Sequence, residues 1–221
     1  MPDLDPLATA RPRKTCAPDG VAAVEARARH DRHRLRNALH LACSLLNLQS
    51  ARLGDAGARR EFEAAIERIA ALGTIYGAVD AGGDAVPVHR LIDALCGLVP
   101  GRRPGIVLAL DVAEASLPLE RATALGLIVH ELVANSLRHG FPDGRAGTIT
   151  LRLARQARRF WRLDVADDGI GRAADAADGF GSQLVALMAA RLDGELRRRA
   201  GRGTAYALRF PDTPPVVAAS Q

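Results

Sequence analysis

Residues 125–144 read LGLIVHELVANSLRHGFPDG, and this stretch decides the fold. Apolar residues occupy nearly every turn from Leu125 to Leu137, so the segment is expected to be a helix buried on most sides. Glu131, Asn135, Arg138 and His139 interrupt it at i, i+4, i+7 and i+8, which places all four on one helical face. A polar stripe on so apolar a helix is costly unless it meets a ligand, a countercharge or water. The helix is expected over 119–139, with the stripe turned towards a binding site.

The flanking segments build a sheet around that helix. Residues 106–112 (IVLALDV) read as a strand, and 87–99 as a shorter helix before it. Downstream, 148–154 and 160–166 alternate apolar and polar residues like paired antiparallel strands, and 195–199 and 204–210 repeat the pattern. Between the two pairs lies a helix over 181–192. Helices on a mostly antiparallel sheet give an α+β sandwich. Asp167-Asp168-Gly169-Ile170-Gly171 follows the second strand; a carboxylate there can accept from an exocyclic amine while glycines let a flat ligand approach. Gly179-Phe180-Gly181 opens the following helix, whose free N–H groups favour an anion. Gly201-Arg202-Gly203-Thr204 precedes the last strand. Taken singly each pattern is weak, since ordinary turns carry the same residues.

Further upstream the period stays helical. Leu35, Leu39 and Leu46, and separately Leu41, Leu45 and Leu48, recur at three-to-four spacing on a helix that Asp19 caps near Val21 and that runs to about Leu53. A turn at 54–57 leads to a second helix carrying Phe62, Ile66, Ile69, Leu72 and Tyr76. The two form an antiparallel hairpin, which cannot enclose its own apolar stripes. A four-helix bundle made by two copies is therefore expected, hence a homodimer. Residues 81–84 read as a linker. The expected layout is a disordered tail over 1–18, the hairpin over 19–80, the sandwich over 85–211 and a second disordered tail over 212–221.

Composition excludes several classes. With 221 residues, 48% hydrophobic and 25% charged, the chain can bury a real core and is not a disordered or fibrous protein. The net charge of +5 does not indicate nucleic acid: all 30 basic residues but Lys14 are arginine, and no aromatic-interleaved basic motif accompanies them. Cys16, Cys43 and Cys96 are scattered, without metal-pair spacing or a disulfide framework, which fits a reducing cytoplasm. No segment is apolar enough to span a membrane, and Asp3 and Asp5 sit where a signal peptide would be greasy. With about twenty residues before the first helix, any stimulus is expected to be received by a separate sensor protein.

In order, the E-x-x-x-N helix, the D-x-G-x-G strand end, the glycine pair opening a helix and the closing G-T strand resemble the ATP-binding domain shared by histidine kinases, gyrase-type topoisomerases and Hsp90. Residues 125–144 are most similar to the asparagine box of histidine kinases. His33-Arg34-Leu35-Arg36-Asn37, followed by SLLNLQ at 44–49, resembles the phosphoacceptor helix of the kinases with an H-R-x-x-N motif. His130 before Glu131 is similar to the related HWE group, but Trp161 is followed by Arg-Leu-Asp where that group has W-x-E. The resemblance covers about residues 25–211.

It implies the following roles. His33 is the nitrogen nucleophile that takes the γ-phosphoryl group, since imidazole offers a lone pair near neutral pH. Asn37 steadies that ring or a phosphate oxygen. Glu131 acts beside the γ-phosphate, Asn135 ligates Mg²⁺, and Arg138, with His139 next to it, meets phosphate charge. Asp167 accepts from the adenine amine, with Gly169 and Gly171 giving room. Gly179 and Gly181 bracket a lid over 172–178, and Gly203 and Thr204 complete the pocket. The implied activity is an ATP-dependent protein histidine kinase whose partner is a response-regulator receiver domain. The expected acid three residues before the phosphoacceptor is replaced by His30. The competing readings are a histidine phosphotransfer protein that has lost ATP binding and an anti-sigma-type serine kinase.

Overall fold

A computed structural model describes residues 18–79, 85–98, 105–156, 159–171, 179–201 and 203–212. The expected lid over 172–178, the linker over 81–84 and most of both tails lie outside the described residues.

The chain opens with a helical hairpin, α1 (Pro18–Ser50) and α2 (Ala56–Gly77). α1 starts one residue before Asp19, which therefore lies within the helix and not at its cap. α2 is started by Asp55, whose extended backbone lets Oδ1 accept from the Ala58 N–H at 2.6 Å. Cys43 and Ser50 of α1 are buried, while Leu41, Leu45 and Leu48 are 54–68% exposed. The two leucine stripes thus differ: Leu39 and Leu46 of the first are half-buried on the inner side, although its Leu35 is 40% exposed, and the second stripe faces out. Arg36 lies against Gly77 and His40 against Gly73, which fixes the register of the hairpin.

Beyond the hairpin come β1 (Ala85–Pro87), α3 (Val88–Leu98), β2 (Ile106–Val112), β3 (Ser116–Pro118) and α4 (Leu119–Asn135). α4 continues into a wider, π-helical turn at Ser136–Gly140, so the helix expected over 119–139 changes its winding directly after Asn135. Then follow β4 (Gly147–Gln156), β5 (Phe160–Asp167), α5 (Phe180–Arg191), β6 (Glu195–Gly201) and β7 (Gly203–Pro211). The main sheet has the order β2-β4-β5-β7-β6; β2 runs parallel to β4 and every other pair is antiparallel. β1 and β3 form a small separate pair that the sequence did not announce.

Period-two alternation decides which sheet face is covered. Ile149, Leu151, Leu153, Leu163, Val165, Leu208 and Phe210 are at most 2% exposed and face α4 and its neighbours, whereas Arg152, Arg162 and Arg209 take the outer face. From Ala122 to Ala134 only Thr123 escapes burial on α4, since α2, α3 and α5 pack around it. α2 adds Ala71 and Ile75, both fully buried, to this same core. A Cβ at Gly126 would lie 2.9 Å from Ile75 Cδ1, so the missing side chain is what lets α2 approach α4 so closely.

Candidate active site

The face of α4 that carries polar residues opens onto a cavity of about 630 Å³, a size that suits a small cofactor or nucleotide. Its wall includes Asn135, Arg138, His139, Asp167, Gly171, Gly179, Gly181 and Thr204, eight of the residues singled out by their motifs. Gly169 and Gly203 stand behind that wall. A Cβ at Gly169 would meet the Gly140 carbonyl oxygen at 2.3 Å, and one at Gly203 would run into the Asp167 carbonyl; Gly203 also has a φ of +77°. These two glycines let the strand ends close around Asp167.

Asp167 is held in place from three sides. Its Oδ2 accepts from the Ser136 hydroxyl at 2.8 Å; its Oδ1 accepts from the Gly169 N–H at 3.0 Å and the Thr204 N–H at 3.2 Å. The carboxylate is 7% exposed and lines the cavity; Oδ1 already takes two donors, and Oδ2, with one, keeps a lone pair for a further donor. Neighbouring Asp168 is exposed and turned to the loop, where its Oδ1 accepts from the Thr148 N–H at 2.7 Å. Geometry thus separates two adjacent aspartates that sequence presents side by side.

A second cluster gathers where α5 begins. A Cβ at Gly181 would lie 2.6 Å from Glu131 Oε2 and 3.6 Å from both Arg68 Nη2 and Asn135 Nδ2, so three side chains converge on one bare point of backbone. Glu131 is 1% exposed and is gripped by Arg68 of α2, Nε–Oε1 at 2.7 Å and Nη2–Oε2 at 3.2 Å. Burial alone would raise the pKa of this carboxyl. The facing His130 ring and the Arg68 guanidinium outweigh burial and bring it to about 2. His130 Nδ1 stands 3.7 Å from Oε1, too far for a hydrogen bond, so Arg68 supplies the direct contacts. Next to them Arg138 pairs with Glu67 of α2 at 2.9 Å, and its Nη2 lies 3.4 Å from Asn135 Oδ1.

His33 and Asn37 are elsewhere. Both are exposed on α1, away from the cavity wall. Arg36 Nη2 lies 3.4 Å from His33 Nδ1. On the hairpin register Arg68 is level with Leu45, which is twelve residues from His33. At about 1.5 Å per residue the two are roughly 18 Å apart along the axis.

Several wall residues were given no role by the motifs: Ser136 and Phe180, which lie inside them, and Arg60, Ala64 and Arg68 of α2 and Tyr206, which lie outside. Arg60, Ala64 and Arg68 follow an i, i+4, i+8 spacing, a signal that they share a face but not of what the face meets. Ser136 is adjacent to Asn135, yet only the wider turn after α4 aims it at Asp167.

Known proteins carry the same two parts in the same order. Residues 32–99 match the family described as "Histidine kinase", and residues 106–209 match the "Histidine kinase-like ATPase domain", a match that implies ATP binding. The blue-light-activated histidine kinase 2 of Erythrobacter litoralis is 27% identical over 208 residues, covering 88% of this chain and 60% of that protein. The sensor histidine kinase PdtaS of Mycobacterium tuberculosis is 31% identical over 211 residues, covering 85% of this chain and 40% of that protein. The chain therefore spans about half the length of these curated relatives. The solved histidine kinase domain of the Erythrobacter litoralis blue-light-activated kinase EL346 superposes with a TM-score of 0.62 at 26% identity, over 88% of this chain and 94% of that one. A phosphoacceptor-type hairpin joined to an ATPase sandwich, matched in order by both families and by one solved domain, makes this chain a member of the histidine kinase family.

Proposed function

We propose that the chain is an ATP-dependent protein histidine kinase that phosphorylates itself on His33 and passes the phosphoryl group to an aspartate of a response-regulator receiver domain. One observation carries this reading: the buried, triply hydrogen-bonded Asp167 lines the same cavity as Asn135 and the start of α5, with the Glu131 carboxylate buried beside Gly181. Asp167 accepts from the adenine amine, with Ile170 and Tyr206 beside it for the flat ring. The N–H groups opening α5, with Arg138 and His139, take the phosphates. Gly169, Gly171, Gly179, Gly203 and Thr204 shape the wall around the nucleotide.

The amide oxygen of Asn135 is the protein group suited to hold Mg²⁺, which keeps most of its other ligands as waters and phosphate oxygens. Among the described residues no cluster of three His, Cys, Asp or Glu could form a cage of its own, in keeping with one amide ligand. When bound, the ion neutralises phosphate charge.

In the transfer, a ring nitrogen of His33 uses its lone pair to bond the γ-phosphorus as the bond from that phosphorus to the bridging oxygen breaks. ADP leaves with the electron pair. The ring gives up the proton of its other nitrogen, and Glu131 is the carboxylate of the site that receives it. Asn37, one turn beyond His33, steadies the ring. With His33 roughly 18 Å along the hairpin from Arg68 on an ideal helical rise, the ATP-binding unit must shift along the hairpin or meet the hairpin of a second copy. The exposed Leu41, Leu45 and Leu48 stripe supports a homodimer through the hairpin. Among the described residues no helix is long and apolar enough to cross a membrane, and ATP as substrate favours the cytoplasm.

Purified protein incubated with γ-labelled ATP and Mg²⁺ should gain an acid-labile, base-stable label that is lost in His33→Ala. Asp167→Asn should lose nucleotide binding and keep the fold. Labelling that persists in His33→Ala, or nucleotide binding without any labelling, refutes the kinase reading.

A further inference from the structure

Arg68 belongs to the hairpin, not to the ATPase sandwich, yet it reaches the point where the proposed phosphate-binding groups converge. Its Nη2 and Asn135 Nδ2 are both 3.6 Å from a Cβ built at Gly181, at the mouth of α5. Its guanidinium lies 4.8 Å over the ring of Phe180, the first residue of α5, and its side chain is 14% exposed on the cavity wall. It reaches across 63 positions of sequence to grip Glu131 with both arms of its fork.

We propose that Arg68 is a nucleotide-specificity residue supplied by the hairpin: it exchanges Glu131 for the terminal phosphate of a nucleoside triphosphate and thereby releases the carboxylate. This rests on the kinase reading of the cavity and deepens it. The same planar fork that pairs with a carboxylate pairs with a phosphate, and a terminal phosphate carries more charge and more acceptor oxygens. Stacking on Phe180 keeps the guanidinium at the mouth of α5 while it turns from one partner to the other. Release matters chemically, because a carboxylate held by a bidentate arginine is a poor proton acceptor, and Glu131 in this grip is too weak a base to take a proton from His33. A diphosphate ends one phosphate short and leaves the Arg68–Glu131 pair closed.

The test is a double-mutant cycle read by calorimetric affinity for ATP and ADP with Mg²⁺, on the full chain, with His33→Ala present throughout to prevent turnover. Arg68→Gln should weaken ATP about tenfold or more, the usual scale for a lost hydrogen bond to a charged group, and leave ADP within about twofold. The loss should persist in a Glu131→Gln background, where Arg68 has no carboxylate left to neutralise. Glu131→Gln alone should tighten ATP relative to ADP. Equal losses for ATP and ADP, or a loss that vanishes in the Glu131→Gln background, would reduce Arg68 to a structural partner and overturn the proposal. If Arg68→Gln does not fold by thermal melting, Arg68→Lys, which keeps the charge and loses the fork, should still lower the ATP-to-ADP affinity ratio; an unchanged ratio overturns the proposal equally. If the His33→Ala parent binds neither nucleotide, it is the ATP-binding reading that fails, and this proposal falls with it.

Discussion

Asp167 shows how much one residue owes to its immediate neighbours. Three donors orient its carboxylate, and the only side chain among them is Ser136. Ser136→Ala should therefore weaken nucleotide binding roughly tenfold without changing the fold, as expected for one hydrogen bond to a charged acceptor; titration calorimetry on the variant checks this. Glu131 makes the complementary case in pH. Its carboxyl is brought from an ordinary value of 4.5 to about 2, so the folded state binds its proton less readily than the unfolded chain. The stability it contributes is present in full above about pH 4.5 and is lost as pH falls towards 2. Wild type should exceed Glu131→Gln in urea stability at pH 6, by an amount on the order of 3 kcal/mol for a shift of this size, and the gap should close on acidification. A gap that stays constant from pH 6 to pH 3 would contradict the geometry.

At the scale of elements, α1 carries two leucine stripes with opposite fates. The side with Leu39, Cys43 and Leu46 turns towards α2, whereas Leu41, Leu45 and Leu48 stay exposed at 54–68%. A three-leucine row on one long helix is an uncommon surface for a monomer, since each such side chain gains roughly 1.5–3 kcal/mol on full burial. Replacing Leu41 and Leu45 together by Glu should convert a dimer to a monomer in sedimentation velocity while leaving the ATPase sandwich folded and able to bind nucleotide. A dimer that survives the double substitution would place the interface elsewhere.

At the scale of the whole molecule, α2 is shared between the hairpin and the sandwich. Ala71 and Ile75 are fully buried against the same core as α4, and Glu67 and Arg68 form ion pairs with Arg138 and Glu131. Gly126→Val should overpack the contact with Ile75, at a cost of about 1–3 kcal/mol. Amide hydrogen exchange should then speed up along α2 while the five-stranded sheet keeps its protection. That contact also explains why parts of the site were not legible in advance. Local periodicity was enough for the α+β class, the strand at 106–112, the alternating strands and the buried helix with its polar stripe, because each of those signals is contained in one short stretch of chain; the resemblance to a known family came from the order of the separate motifs at Asn135, Asp167 and the glycine pairs. The chain's own residues could not say which face of α2 meets α4, that Arg68 stands 63 positions from the carboxylate it grips, that Asp167 and not Asp168 enters the cavity, or that His33 lies far along the hairpin from it. Helix period and strand alternation are local properties and are written in sequence. Which charges meet across the packed interface is set by the close approach at Gly126 and by the wider turn after Asn135, and these exist only once the elements are assembled.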